Sequence, residues 1–208
     1  MYHFGQKCTG KGVIVEIGSW KGKSTMLLAR GSIKNSGAKV YAVDTFEGTC
    51  ETPFKKQNTL KEFKKNIRLA KVNYLVKPLV GFSTDIAKTF KEPIEILFID
   101  GDHSYNGIIA DINSWTPKLI NNGWILFHDT SNNNVLRAVK EKIINSNNYS
   151  TIGFIGSIIF AKKAKGSKLE KFLLLYILFP FRILIINVWK NLPESIKRLF
   201  RKKRNEGG

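Results

Sequence analysis

Short apolar runs recur along the first 161 residues, and longer stretches of mixed polarity separate them. Short apolar runs bounded by turn residues are typical of buried strands, and the longer stretches are typical of helices. Their alternation predicts a doubly wound α/β fold with a mostly parallel sheet. The predicted strands are Val13–Ile17, Val40–Val43, Tyr74–Val76 continuing toward Leu79, Ile94–Ile99, Trp124–His128, Thr151–Phe154 and Ser157–Ala161, which makes a seven-stranded sheet.

Helices are predicted in the gaps between these strands, at Ser24–Arg30, Leu60–Ala70, Thr84–Phe90, Gly107–Leu119 and Asn134–Ile144. Only Ile155 and Gly156 separate the last two strands, so we expect them to form a closing hairpin. A chain of 208 residues can bury a core without disulfides or a structural metal. The two cysteines, Cys8 and Cys50, have no paired spacing, which favours a reducing compartment.

Positive charge is concentrated at the end of the chain. The net charge is +18, and residues 161–208 carry 13 Lys or Arg against three Glu. The character of the sequence changes near residue 165, so we predict a domain over 1–164 and a membrane-associating basic helical tail over 165–208. Met1–Gly12 lacks the apolar core of a signal peptide, and we therefore expect a cytoplasmic protein at the inner face of the cell membrane.

The tail contains an almost wholly apolar run, Phe172–Trp189. As one helix it would rise about 27 Å, close to the thickness of a bilayer's hydrocarbon core. Pro180 would kink that helix and Arg182 would lie near its centre, so a helical hairpin within one leaflet fits better. Trp189 and the basic run Lys197–Arg204 would then contact an anionic membrane surface. The alternative is that the tail helices pack on the domain or on a second subunit. In the second case the protein would be a homo-oligomer.

A glycine-containing turn follows the first predicted strand. In Gly18-x-x-x-Gly22 the glycines let backbone N–H groups approach a ligand closely. The spacing differs from dinucleotide and P-loop motifs, and the acidic Glu16 repels phosphate but suits a cationic amino acid or a ribose. The cofactor-binding residues predicted here are Glu16, Gly18, Ser19, Gly22 and Ser24. The alternative is an ordinary tight turn with no ligand.

The second predicted strand leads to Asp44, at the position where an acid accepts the ribose hydroxyls of an adenosine-bearing cofactor. Together with Glu16 and the glycines, this pattern resembles the class I S-adenosylmethionine methyltransferases, in which an E-x-G-x-x-x-G loop cradles the methionine part. The resemblance implies S-adenosyl-L-methionine as the cofactor. Ser83, after the third strand, is a candidate for the adenine edge, or a helix N-cap for Thr84–Phe90.

Acidic residues follow the fourth and fifth predicted strands. Parallel strands would bring Asp100, Asp102, His128 and Asp129 to one edge of the sheet. Three carboxylates there repel one another unless a cation or protons intervene. Oxygen-rich donor sets with one nitrogen suit Mg²⁺ or Mn²⁺. A divalent cation lowers the pKa of an acceptor hydroxyl, and a carboxylate can then take the proton during methyl transfer.

The motifs I-D-G-D-H-x-Y and G-W-x-x-x-H-D, with Asp44-Thr-Phe-Glu-Gly48, resemble macrocin-type sugar O-methyltransferases and cephalosporin-hydroxylase-like proteins. The resemblance covers about Val13 to Ala161. It implies a metal held by Asp100, His128 and Asp129, catalytic roles for Asp100 and Asp102, with Asp102 as the base, and a cofactor contact from Asp100. The family usually carries an acidic pair where this chain has His128-Asp129. The alternative is that Asp102 and His103 order the loop while Asp129 caps the next helix.

These patterns predict an O-methyltransferase that acts on a small-molecule or glycan acceptor, such as a hydroxyl of a sugar or lipid-linked glycan. The positive charge leaves a nucleic-acid methyltransferase as one alternative. Nucleic acid is the less expected partner, because aromatic residues do not alternate with basic ones and no Asn/Asp-Pro-Pro-Tyr motif occurs. A second alternative is a non-catalytic membrane-bound scaffold. The polar segment Glu47–Lys61 is a candidate lid over the acceptor.

Overall fold

The computed structural model describes residues 1–48, 58–167, 180, 184, 188 and 191–194. Its two compact units are Met1–Gly166 and Ser167–Gly208. Within the described part of the first unit, seven strands form one sheet in the order β3-β2-β1-β4-β5-β7-β6. The strands are β1 Val13–Ile17, β2 Val40–Asp44, β3 Val76–Val80, β4 Ile94–Ile99, β5 Leu119–Phe127, β6 Tyr149–Ile155 and β7 Ile158–Lys163. The first five are parallel and β7 pairs antiparallel with β5 and β6, which confirms the predicted doubly wound fold and closing hairpin.

Helices cover the sheet, and five of them lie where the sequence predicts them. They are α1 Tyr2–Lys7, α2 Lys23–Ile33, α3 Leu60–Leu69, α4 Ser83–Thr89, α5 Tyr105–Trp115 and α6 Asn133–Val139, and a π-helical turn at Lys140–Ile144 continues α6. Helix α5 stops short of the predicted Leu119, because Pro117 enters a separate 3₁₀ turn at Thr116–Lys118. Helix α1 at Tyr2–Lys7 is not predicted from the sequence.

The central strands are buried on both faces. Every residue of β1 and of β4 is buried, as expected for parallel strands between two helical layers. The edge strand β3 has only Val76 buried. The core on one face joins Phe4, Leu28 and Phe63 from α1, α2 and α3 to the sheet. This packing fixes the carboxyl ends of β1 and β4 relative to each other.

The chain reverses its direction of winding between β1 and β4. It proceeds outward from β1 through β2 to β3, and then returns to the other side of β1 as β4. The carboxyl ends of strands at such a switch point form the crevice where open α/β sheets bind ligands. Ile17 is paired with Ile99 at this end, so Gly18 and Asp100 emerge side by side. The fold therefore brings two of the predicted site residues to the usual ligand-binding position.

The second unit, Ser167–Gly208, is described only at Ser167, Pro180, Leu184, Val188 and 191–194. Pro180, Leu184 and Val188 have helical backbone and exposed side chains. The predicted hairpin at Phe172–Trp189 otherwise lies outside the described residues, as do the basic run Lys197–Arg204 and residues 49–57 of the predicted lid. No helix among the described residues combines the length and apolar character needed to cross a membrane.

Candidate active site

The turn after β1 requires glycine at both predicted positions. Gly18 and Gly22 have φ of 82° and 84°, in the left-handed region. A Cβ on Gly18 would overlap the carbonyl oxygen of Asp100 and lie 2.8 Å from the Cα of Gly101. A Cβ on Gly22 would lie 2.9 Å from Cδ2 of Phe63 on α3. The turn is therefore packed between the loop after β4 and α3, with no room for a side chain at either glycine.

Glu16 lies beneath this turn and is completely buried. The hydroxyl of Thr25 donates a hydrogen bond to its Oε2, and Oε1 has no hydrogen-bond partner among the described residues. Burial raises the pKa of Glu16 to about 7, although the nearby hydroxyls of Ser24, Thr25 and Ser19 oppose the shift. Ser19 is also buried, and its Oγ has no partner in the described chain. The turn thus covers polar groups that are not saturated.

Asp44 ties the ends of β1 and β2 together. Its Oδ2 accepts a hydrogen bond from the backbone N–H of Trp20 at 2.7 Å, and its Oδ1 accepts one from Phe46 at 2.6 Å. Both donors have positive φ, 43° and 57°, which is strained backbone for a non-glycine residue. Each carboxylate oxygen has a second lone pair. Asp44 can therefore hold the turn and still accept a hydroxyl donor from a ligand.

Asp100 and Asp129 come together at the ends of β4 and β5, and the third member of their cluster is His103. Ligand atoms of these three side chains all lie within 4.8 Å of one another. Nε2 of His103 is 3.4 Å from Oδ2 of Asp129 and 3.8 Å from Oδ1 of Asp100. All three predicted metal ligands thus lie close together, because His128 also contacts both carboxylates. His103 lies in the same D-G-D-H motif as Asp100, and this adjacency was the available signal for it.

His128 bridges this cluster to the closing hairpin. Its Nδ1 lies 3.0 Å from Oδ1 of Asp100 and 3.2 Å from Oδ1 of Asp129, and its Nε2 lies 3.0 Å from Oγ of Ser157. The hydrogen bond with Asp100 raises the pKa of His128. A protonated His128 offsets the charge of two converging carboxylates. Ser157 is absent from the sequence prediction, because its contact with His128 depends on how the hairpin packs.

Asp102 and Ser83 make contacts different from those of the central cluster. Asp102 accepts hydrogen bonds from the backbone N–H of Ser104 at 2.8 Å and from its hydroxyl at 2.9 Å, and Ser104 caps α5. Ser83 is the first residue of α4, after the N-cap Phe82, and its hydroxyl donates to Oδ1 of Asp111. The N-cap of α6 is Asn132 and not Asp129, so Asp129 does not cap the next helix. The carboxylate of Asp102 therefore orders the loop before α5.

A family model described as "Methyltransferase domain" matches residues 15–130, which include every charged side chain of this site. The chain belongs to this methyltransferase-domain family. The matched stretch begins in β1 and ends just after Asp129, so the match and the clustered side chains cover the same part of the fold.

Two curated relatives are similar to a part of the chain. An uncharacterized protein, y4gI, of Sinorhizobium fredii is 29% identical over 126 residues, covering 56% of this chain and 13% of the relative. An uncharacterized protein, R132, of Acanthamoeba polyphaga mimivirus is 32% identical over 121 residues, covering 55% of this chain and 50% of the relative. The chain thus spans half or less of the length of these two relatives.

Solved structures share the fold at low sequence identity. The O-methyltransferase NovP aligns with a TM-score of 0.63 and 17% identity over 79% of each chain. An O-methyltransferase from Bacillus cereus in complex with SAH aligns with a TM-score of 0.56 and 23% identity, over 78% of this chain and 80% of the other. An rRNA methylase from Streptococcus thermophilus aligns with a TM-score of 0.56 and 16% identity, over 79% of this chain and 94% of the other. These likenesses establish the methyltransferase type of α/β fold.

Proposed function

We propose that this protein is an S-adenosylmethionine-dependent O-methyltransferase that methylates a hydroxyl of a sugar, glycan or lipid-linked glycan. Membership of the methyltransferase-domain family supports the reaction class. One observation carries the proposal: an unsaturated buried carboxyl, Glu16, and the ribose-type acid, Asp44, flank a two-glycine turn at the switch point of the sheet. A site of this kind suits a cationic nucleoside better than a phosphate.

The cofactor would lie across the ends of β1 and β2. Glu16 and the polar turn residues Ser19 and Ser24 favour the charged amino group of its methionine part, and the absence of side chains at Gly18 and Gly22 allows the backbone to approach. Asp44 would accept the ribose hydroxyls through its remaining lone pairs. Ser83 would face the adenine, and the Asp100 loop, packed on Gly18, would close the site from the other side.

On the acceptor side, the reaction is an in-line displacement. The acceptor oxygen bonds to the methyl carbon, the carbon–sulfur bond breaks, and S-adenosylhomocysteine leaves as a neutral thioether. The hydroxyl proton must go to a base, and a carboxylate of the cluster can take it. Asp129 has the most exposed side chain of the cluster, at 40%, whereas Asp102 lies outside the cluster and is held by Ser104 in the loop before α5. We therefore favour Asp129 over Asp102 as the base.

A divalent cation such as Mg²⁺ belongs to the proposal, because two carboxylates and one imidazole form a suitable donor set. Asp100, His103 and Asp129 would hold it, with His128 orienting Asp100 and Asp129 through Nδ1. When bound, the ion would lower the pKa of the acceptor hydroxyl. His128 in its charged form offsets the same carboxylates, so it would compete with the ion at low pH.

The sequence supports the proposed acceptor and location. The macrocin-type motifs favour a sugar hydroxyl, and the apolar and basic tail favours attachment to an anionic membrane, where lipid-linked glycans are found. A net charge of +18 and the shared fold of an rRNA methylase support RNA as the second candidate acceptor.

Calorimetric titration of the full chain with S-adenosylhomocysteine tests the cofactor. We expect micromolar binding by the wild type and a loss of about tenfold or more in Asp44→Ala, which removes about 1.4 kcal/mol of affinity. Asp85→Ala, on the exposed side of α4, is the matched control. No binding by folded wild-type protein would refute the proposal and leave the scaffold alternative.

Transfer of labelled methyl groups from S-adenosylmethionine tests the acceptor and the metal. Total glycolipid and total RNA are offered in parallel, each with Mg²⁺ or with a chelator. Label in the glycolipid fraction supports the proposal, and label only in RNA supports the alternative. Full activity in the chelator would contradict the cation, and full activity of Asp129→Asn would contradict the base.

A further inference from the structure

Asp111 is a buried carboxyl group that the proposed reaction does not use. It lies on α5 and is 4% exposed. Burial raises its pKa to about 6, so it is mostly ionised at pH 8. The hydroxyl of Ser83 donates a hydrogen bond to its Oδ1. The desolvation of a buried carboxylate is costly unless hydrogen bonds or an opposite charge compensate for it, so its hydrogen bond with Ser83 matters.

The Ser83–Asp111 pair connects two loops of the cofactor crevice. Ser83 begins α4 directly after β3, whereas a Cβ on Gly101 would lie 3.6 Å from Oδ2 of Asp111, which locates the carboxyl against the loop after β4. In the sheet, β3 and β4 flank β2 and β1, the strands that lead to Asp44 and Gly18. The pair therefore lies where a nucleoside bound at Asp44 would extend its base.

The hydrogen bond between the two side chains has a fixed direction. An ionised carboxylate can only accept, so Ser83 must spend its single O–H hydrogen on Asp111. The lone pairs that remain on the Ser83 oxygen can only accept a hydrogen bond. Ser83 is partly exposed, so these lone pairs can accept a hydrogen bond from a ligand in the crevice. Adenine carries a donating amino group on C6, whereas hypoxanthine carries an accepting oxygen there.

We propose that Asp111 is a positioning residue that fixes Ser83 as a hydrogen-bond acceptor for the adenine amino group and thereby selects adenosine over inosine cofactors. This inference rests on the proposed cofactor site. A site built to pair with one polar group discriminates strongly against a ligand that cannot pair, because buried lone pairs are then left facing each other.

The test is calorimetric titration of the full chain at pH 8 with S-adenosylhomocysteine and with S-inosylhomocysteine. We expect the wild type to prefer the adenosyl compound by about 100-fold. In Asp111→Asn the amide can donate to Ser83, so the hydroxyl hydrogen is free to turn outward, and the preference should fall below about tenfold. Ser83→Ala, which removes the acceptor, should lose the preference equally. Asp85→Asn is the matched control, because Asp85 lies on the same helix but pairs with Lys88 at the surface.

The outcomes separate the inference from the proposed function. Equal weakening of both ligands in Asp111→Asn would make Asp111 merely structural and overturn the inference. If Asp111→Asn does not fold, Ser83→Ala decides, and an unchanged preference in that variant overturns it. Wild-type protein that binds neither ligand would remove the cofactor site itself, and the inference with it. Wild-type protein that binds both ligands equally would refute only the inference.

Discussion

Two glutamates are buried in adjacent central strands, and their carboxyl groups differ in how many hydrogen-bond donors surround them. Glu95 lies near the amino end of β4 and accepts hydrogen bonds from Thr9 N at 2.8 Å, Thr9 Oγ1 at 2.8 Å and Gly10 N at 3.1 Å, with Cys8 Sγ at 3.3 Å. Glu16 lies near the carboxyl end of β1, and its Oε1 has no hydrogen-bond partner among the described residues. Both residues are glutamates in buried strands, but Glu16 is buried more deeply and the two carboxyl groups have different donors around them.

The pKa values of the two groups follow the donors. Burial acts to raise the pKa of Glu95, but hydrogen bonds from Thr9, Cys8 and Gly12 outweigh it and lower the pKa. The pKa of Glu16 is raised to about 7, because the hydroxyls of Ser24, Thr25 and Ser19 offset the effect of burial only in part. The carboxyl group of Glu95 at the amino edge is therefore saturated with donors, whereas that of Glu16 at the carboxyl edge is not. Departures of this kind from ordinary packing rules are expected where a ligand binds.

The largest expected effect comes from replacing a glycine at each edge of the sheet. Gly18 at the carboxyl edge and Gly37 in the loop before β2 both have positive φ, 82° and 65°. A Cβ would overlap the Asp100 carbonyl at Gly18, but at Gly37 it would meet nothing within 4 Å. We expect Gly18→Ala to cost about 3 kcal/mol or more in urea unfolding, and Gly37→Ala about 1 kcal/mol.

Binding of S-adenosylhomocysteine provides the second readout for this pair. Gly18→Ala should abolish it and Gly37→Ala should leave it unchanged. Equal destabilisation by the two substitutions would mean that backbone strain alone requires glycine at position 18. The tight packing of the turn on the Asp100 loop would then not contribute.

The next effect in size tests the saturated edge. Glu95→Gln puts an amide donor opposite other donors, so we expect a loss of about 2 kcal/mol of unfolding free energy at pH 7, with cofactor affinity unchanged within about twofold. Because the folded pKa of Glu95 is lowered, its contribution is present above the ordinary glutamate pKa and disappears as the pH falls through the folded value. The unfolding free energies of wild type and variant should therefore converge in acid.

The surface variant Glu62→Gln, which breaks only an exposed pair with Lys21, is the control and should change stability by less than about 0.5 kcal/mol. Loss of cofactor binding in Glu95→Gln would blur the distinction between the edges.

Local sequence pattern was sufficient for the central strands and insufficient for the contacts between elements. The predicted bounds of β1 and β4 match the structure, because each is an apolar run buried along its whole length. Strand β5 begins at Leu119 rather than Trp124. The sequence predicts a gap between Leu119 and Trp124, whereas Asn122 adopts a φ of 65° within the strand and shifts its register against β4. Neither helix propensity nor the hydrophobic period of the sequence predicts this irregularity within the strand.

The first helix and part of the site depend on tertiary packing. Helix α1 has a weak pattern of its own, and it is held because Gly5 and Gly31 let α1 and α2 approach until their backbones touch. The residues of the cofactor turn were predictable, since they are neighbours in the chain. The pairs Ser157–His128 and Ser83–Asp111 join distant segments, and a single sequence carries no signal for such pairing.

The smallest expected effect addresses Glu16 and has opposite signs for stability and for binding. Between the ordinary glutamate pKa and about 7, the folded protein holds a proton on Glu16 that the unfolded chain lacks, so the stability of the wild type falls as the pH rises through this window. Glu16→Gln removes this dependence. At pH 8 we expect the variant to be more stable by on the order of 1 kcal/mol in urea unfolding, because it no longer buries a charge.

Affinity should move the other way. Glu16→Gln should bind S-adenosylhomocysteine about tenfold more weakly, since the amide no longer attracts the cationic amino group. Methylthioadenosine, which has the nucleoside but no amino acid, is the control ligand and should bind both proteins equally. A variant that is less stable at pH 8 and binds both ligands as the wild type does would make Glu16 a structural acid like Glu95. A gain in stability coupled to a loss specific to the amino acid would instead mean that the fold keeps a destabilising carboxyl for its cofactor.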